Sequence, residues 1–180
     1  MLVERIFPTV QCAPPLVKKP KAAPKALFLD IGLCVAALHL TRDQIHEQLV
    51  DPSYRGGLLE AFAGQELMAL DCYRRDALFF WIREEKGTSS ELDFVLPVEN
   101  RLIPLEVKSG SHGSLKSLHQ FLLKSSHRTG VRLYHGSLKV EDHSVMLPNG
   151  GKLDYQLISL PVYLIFRLKE ILLEEMKNKV

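Results

Sequence analysis

Two β-prone runs, Glu91-Leu92-Asp93-Phe94-Val95-Leu96 and Leu102-Ile103-Pro104-Leu105-Glu106-Val107-Lys108, are separated only by a short polar break from Pro97 to Arg101. Branched and aromatic residues on both sides of a connection containing Pro and Asn predict a β-hairpin. The second run is apolar enough for a central strand. Along it Leu105 and Val107 point to one face, while Glu106 and Lys108 point to the other, about 7 Å apart. Asp93 starts the partner strand, so the hairpin carries it towards the end of the second. Two carboxylates gathered there repel unless a proton or a cation lies between them. A hard divalent ion takes carboxylate oxygens, with phosphate supplying others, and Lys108 would stabilise charge developing on an attacked phosphate. As an isolated tripeptide Glu106-Val107-Lys108 reads first as a solvated edge pair, since acid-x-Lys is common. Its place at the end of an apolar run, with an Asp on the preceding strand, favours the cation site.

The chain has 180 residues, enough for one domain with a substantial core. Its net charge is +2, from 23 basic and 21 acidic residues, so nothing global demands nucleic acid. Arg5, Lys18, Lys19, Lys21 and Lys25 stand against Glu4 in the first 29 residues, which leaves the remainder slightly acidic. Any nucleic-acid site in the core is therefore a local patch. Cys12, Cys34 and Cys72 are odd in number and widely spaced, as expected of free thiols in a reducing cytosol. The most apolar late segment, Leu157 to Leu173, is interrupted by Pro161, Arg167 and Lys169 and does not read as a membrane span. A cytoplasmic, soluble protein without membrane contact is the expectation.

The division expected is residues 1–25, a strand followed by a Pro- and Lys-rich arm, and residues 26–180, the main domain. Leu2 to Val10 reads as a strand. Pro14, Pro15, Pro20 and Pro24 make the arm extended, either a solubilising linker or a phosphate-tracking segment. Ala26 to Leu29 is a short strand, and Asp30 is a helix N-cap for residues from about 31 to 40. Thr41 to Gln44 caps a further turn, and Asp51-Pro52-Ser53 breaks the pattern. Gly56 to Leu70 is the strongest helix, with Leu59, Phe62, Ala63, Leu67 and Leu70 on one face. Glu60 and Glu66 flank that face at opposite edges, each explicable by an ion pair or a metal site. Leu78 to Arg83 is a strand with Trp81 in the core; Arg83 ends it as a phosphate contact or a surface ion pair. Gly110 to Ser117 lacks the Gly-x-x-x-x-Gly-Lys-Ser/Thr spacing, which excludes ATP binding by this loop. His112 lies in that loop, beside the metal centre or in solvent. Leu115 to Ser125 is a helix with Lys116 and Lys124 on a basic side. Strands follow at Val131 to Gly136 and at Ser144 to Leu147, the latter pairing with a strand near Lys139–Val140 or with Leu153. Pro148-Asn149-Gly150-Gly151 is a turn, and Ile158 to Lys179 reads as a closing amphipathic helix. A mixed sheet of about four to five strands flanked by helices results.

The order Glu60, Asp93, Glu106-Val107-Lys108 resembles the pattern of the PD-(D/E)XK nuclease superfamily: a helical acid, a strand-end Asp, then an acid-x-Lys strand. Further segments are similar to the domain of unknown function that forms the C-terminal half of many prokaryotic AAA-type ATPases. They include Phe28-Leu29-Asp30-Ile31-Gly32, Leu58-Leu59-Glu60-Ala61-Phe62, Phe80-Trp81-Ile82-Arg83, Ile103-Pro104-Leu105-Glu106-Val107-Lys108-Ser109, Ser114-Leu115-Lys116-Ser117-Leu118 and Leu160-Pro161-Val162-Tyr163-Leu164. The resemblance covers nearly the whole chain, without the P-loop half, and implies a restriction-endonuclease-like α/β fold. It also implies a nuclease-like site: Asp93, Glu106 and Glu60 for Mg²⁺ or Mn²⁺, with the Val107 carbonyl as a further ligand, and Lys108 orienting water or stabilising the transition state. It favours Glu60 over Glu66 and puts Gln120 where some superfamily nucleases carry a supporting polar residue. Arg83, Lys116 and Gln120 are the expected nucleic-acid contacts, DNA the expected partner, and a P-loop ATPase a further one. The fold also hosts silent members. The alternatives are therefore a binding module of an AAA-type ATPase without turnover, or a truncated remnant.

Overall fold

A computed structural model describes residues 3–19, 21–46, 51–70, 78–84, 90–110, 113–148 and 150–177. Cys72, His112 and Asn149 of the expected turn lie outside the described residues. The strands are β1 (Val3–Thr9), β2 (Lys25–Phe28), β3 (Phe79–Ile82), β4 (Glu91–Val98), β5 (Arg101–Val107), β6 (Thr129–Tyr134), β7 (Lys139–Met146) and β8 (Lys152–Pro161). The helices are α1 (Ile31–Ala37), α2 (Arg42–His46), α3 (Pro52–Ala69), α4 (Lys116–Lys124) and α5 (Leu168–Lys177). One mixed eight-stranded sheet runs β2-β1-β3-β4-β5-β6-β8-β7. Strands β1 and β3 are parallel, as are β5, β6 and β8; β2, β4 and β7 run against their neighbours.

The α/β class with flanking helices agrees with the sequence, and the sheet is larger than expected. Beyond the central β3, β4, β5 and β6, strands β1 and β2 join at one edge and β8 and β7 at the other. The Lys139-to-Met146 stretch is one continuous edge strand, mostly exposed and carrying Lys139, Glu141 and Asp142, so it offers little apolar signal. The expected helix from Ile158 begins later: Ile158 to Pro161 complete β8, Val162–Arg167 form a 3-10 helix, and α5 follows. Strand β8 lies between β6 and β7 and is buried on both faces over most of its length, which erases alternation.

Helices cover both faces. Leu59, Ala63 and Leu67 of α3, with Leu168, Ile171 and Leu172 of α5, pack with Phe94, Leu96, Ile103, Leu105 and Val131 in one core. On the other side Leu118, Phe121 and Leu122 of α4 pack with Trp81, Leu92, Val95, Leu102 and Leu157. Asp51-Pro52-Ser53 does not break the chain but opens α3, since the first turn of a helix has no use for the N–H that Pro lacks. At Gly64 the helix lies flush on the sheet: a Cβ there would stand 2.6 Å from Leu27 Cδ1 and 3.1 Å from Phe94 Cζ. Asp30 caps α1, accepting from Gly32 N at 2.7 Å and Leu33 N at 3.4 Å. Thr41 Oγ1 accepts from Gln44 N while Gln44 Oε1 accepts from Thr41 N, a reciprocal cap on α2.

The hairpin turns tightly. Pro97 and Val98, expected in the break, continue β4, and Val98 pairs with Arg101 across Glu99 and Asn100. Glu99 takes φ 50°, the left-handed region that such a turn requires. On its other edge β4 changes register: Phe79 pairs with Val95 but Trp81 with Leu92, so Asp93 and Phe94 together stand opposite Phe80. This is a β-bulge, and its effect is visible in the cores. Leu92 packs on the α4 side and Phe94 on the α3 side, although residues two apart share a face in a regular strand.

Candidate metal centre at the strand ends

The bulge sets Asp93 at the end of the β4–β5 ladder, whose last pair is Phe94 with Leu105. Beyond that pair Asp93 Oδ2 accepts from the Val107 N–H at 2.7 Å. On the opposite edge of β5 the Lys108 N–H donates to Leu133 O at 2.8 Å. The end of β5 is thus fixed by a backbone bond on one edge and a carboxylate on the other. Glu106 is buried, 6 % exposed, and its Oε1 accepts from Lys108 Nζ at 2.6 Å. Its second oxygen, Oε2, is buried without a hydrogen-bond partner among the described residues.

A buried carboxylate oxygen without a partner is costly. Burial above all, with the nearby Glu106 and Glu60, raises the Asp93 pKa to about 7 against the opposing Val107 bond and Lys25. Burial also raises Glu106, with Lys108 acting against it. Both acids therefore resist carrying charge until something positive joins them. The stem of Lys108 lies against Gly113, where a Cβ would fall 2.8 Å from Lys108 Cδ. The glycine leaves the room in which the lysine folds back to Glu106.

Glu60 reaches the site's edge from α3 but is held by Lys25, whose Nζ lies 2.8 Å from Glu60 Oε1 and 2.6 Å from Glu91 Oε1. Burial opposes the Lys25 charge, and the two glutamates outweigh it and raise its pKa. Among the described residues no three Asp, Glu, His or Cys side chains form a ready metal-binding group. Asp93 and Glu106 are thus brought together with Lys108, while Glu60 is turned to an ion pair. Arg83 follows β3, whose last residue, Ile82, pairs with Glu91 at the Asp93 end of the hairpin. Lys116, exposed, and Gln120, half-buried, share a face of α4. Neither makes a hydrogen bond or ion pair to Asp93, Glu106 or Lys108 among the described residues.

Sequence reasoning missed Lys25, which it counted as arm charge, and Gly113. The acids that hold Lys25, Glu60 on α3 and Glu91 on β4, meet it through tertiary structure, with no sequence periodicity behind it. The orphaned Glu106 oxygen, the proton-holding Asp93 and the adjacent ammonium suit a divalent cation, with two protein carboxylates in place and a third one ion pair away.

The arrangement defines a mixed α/β protein with a carboxylate–lysine cluster at the ends of its central strands. Residues 55–149, more than half of the chain, match the family described as Domain of unknown function (DUF4143), and the chain belongs to that family. The matched span holds Glu60, Asp93, Glu106 and Lys108 and excludes Lys25. No curated protein and no solved structure matches the chain.

Proposed function

We propose that this protein is a Mg²⁺- or Mn²⁺-dependent phosphodiesterase acting on nucleic acid, DNA first among its substrates, with the nuclease-like site that the PD-(D/E)XK resemblance implies. The observation that carries this reading is the buried, unpartnered Oε2 of Glu106 beside Lys108 and the charge-averse Asp93. When bound, the ion supplies Lewis-acid polarisation of a phosphoryl oxygen and a more acidic water. Asp93 and Glu106 hold it. The Lys108 ammonium, already within 2.6 Å of Glu106, orients the attacking water or meets the phosphate charge that grows in the transition state. Arg83, Lys116 and Gln120 serve the nucleic-acid backbone. The setting proposed is the cytoplasm; among the described residues no helix is long and apolar enough to cross a membrane.

The test is degradation of linear DNA, circular DNA and RNA with Mg²⁺, Mn²⁺ or EDTA, alongside Asp93→Asn and Lys108→Met. Metal-dependent cleavage that disappears in both variants supports the reading. A folded wild type as inert as the variants on every substrate rejects it.

A second reading is favoured by a different observation. A cavity of about 670 Å³ lined by Ile31, Val35, Ile45, Phe62 and Tyr163 opens beside Ser109, and Leu33, Ile45 and Tyr163 are exposed. Apolar surface of this kind suits a protein contact, and the reading is a binding module for a P-loop ATPase without turnover of its own. Sedimentation with such an ATPase, with and without Tyr163→Glu, tests it: a complex lost in the variant supports it, and no complex rejects it.

A further inference from the structure

Lys25 opens β2 beside β1, pairing with Ile6, and its side chain leaves the arm to enter the acid cluster. Its Nζ bonds Glu60 and Glu91 at 2.8 and 2.6 Å and lies 5.0 Å from the centre of the Phe80 ring. Phe80 is the residue that faces the Asp93–Phe94 bulge. The close seat of α3 at Gly64, against Leu27 and Phe94, brings Glu60 within reach one turn earlier. A single ammonium thus pairs with Glu60 near Asp93, on a side chain three-quarters shielded from water.

We propose that Lys25 is a tethered cation that holds Glu60 out of the metal centre, so that the resting protein binds a divalent ion through Asp93 and Glu106 alone and release of Lys25 completes a tighter three-carboxylate site. This rests on the metal-binding reading of Asp93 and Glu106. Lys25 is a positioning residue: it acts through Glu60. A cation held on a side chain satisfies the same carboxylate that a divalent ion would, and the two exclude each other at one oxygen. The substrate class follows. A phosphodiester brings its own negative charge and competes with Glu60 for the ammonium, so nucleic acid assembles the site it needs.

The experiment is calorimetric titration of the full chain with Mn²⁺ at constant pH. Wild type is compared with Lys25→Met, Lys25→Gln, Lys25→Arg, Glu60→Gln, the Lys25→Met/Glu60→Gln double variant and Asp93→Asn, each checked for folding by circular dichroism. Lys25→Met and Lys25→Gln are expected to bind Mn²⁺ about tenfold more tightly than wild type, as an added carboxylate ligand does. Lys25→Arg should bind as wild type, and the double variant should fall back to the affinity of Glu60→Gln. Unchanged affinity in both neutral variants, with binding still abolished by Asp93→Asn, overturns the role of Lys25 and leaves the metal centre standing. A gain that survives Glu60→Gln also overturns it, since the released ligand is then not Glu60. No Mn²⁺ binding by wild type or by either neutral variant rejects the metal centre itself, and this inference with it.

Discussion

The Val107 N–H donates to Asp93 Oδ2 at 2.7 Å, so a backbone donor of β5 is satisfied by a side chain of β4 and not by a carbonyl. The same carboxyl has its pKa raised from 3.8 to about 7, burial being the main cause. A raised carboxyl pKa means that the folded state holds the proton more firmly than the unfolded chain. Its contribution to stability is therefore full below about pH 4 and is lost as pH rises towards 7. The loss amounts to a few kcal/mol, since each tenfold change in proton affinity is worth roughly 1.4 kcal/mol. Asp93→Asn keeps an acceptor for Val107 and removes the ionisation. Urea denaturation should show the variant gaining on wild type as pH rises from about 4.5 to 8, the window in which the folded carboxyl and its unfolded counterpart differ in charge. His119 and His127, lowered chiefly by burial, slope the other way in both proteins and cancel in the difference. A difference that does not change with pH would sink the assignment.

Gly113→Ala separates the placement of Lys108 from stability. The added Cβ meets the lysine stem 2.8 Å away, and a flexible side chain moves at little cost. The expected result is an unchanged thermal midpoint with phosphodiester cleavage reduced about tenfold, the effect of a small displacement at a reacting centre. A variant that cleaves as wild type would show that the lysine needs no such room.

The glycines of α3 divide by what lies beneath them. At Gly56 and Gly57 a Cβ meets nothing within 4 Å, so Ala should stabilise by about 0.5–1 kcal/mol through helix propensity. At Gly64 the same methyl strikes Leu27 and Phe94, both buried. Overpacking of about 1–3 kcal/mol outweighs the propensity gain there. Chemical denaturation of the three variants should give opposite signs; a stabilised Gly64→Ala would mean that α3 sits further from the sheet than the structure has it.

Trp81, the only tryptophan, is 1 % exposed, donates to Val10 O at 3.3 Å and meets the Phe121 ring edge-on at 5.6 Å. Trp81→Ala should cost about 3–5 kcal/mol from the cavity it leaves. Trp81→Phe should lose roughly 1–3 kcal/mol, including the bond to Val10. Equilibrium unfolding followed by circular dichroism measures both, and a near-neutral Trp81→Ala would remove Trp81 from the core.

The parts of this fold legible in the sequence are the hairpin, marked by two apolar runs around a short polar break, and the α3 face of Leu59, Ala63 and Leu67, whose periodicity survives. Two strands were legible only in part: Ser144 to Met146 read as strand and Val145 does pair with Leu153, while the first half of β7 and most of β8 did not show. Strand β8 is buried on both sides, so its apolar run looks helical, and β7 is an exposed edge whose charges hide it. At the site, Asp93 and the Glu106–Lys108 pair came from neighbouring strands and were readable. Lys25 was not, because what holds it are Glu60 on α3 and Glu91 on β4, far away in the chain.

A strand counts in twos, and the bulge at Asp93–Phe94 is where this chain changes from odd to even. Every side chain of β4 after that point owes its face to one extra residue. Removing one residue between Leu92 and Val95 would restore regular pairing with β3 and keep both in the α4-side core they already share, but either Asp93 or Phe94 would be lost. One residue of β3 thus answers to two of β4: an acid that accepts from Val107 and a ring that fills the α3-side core.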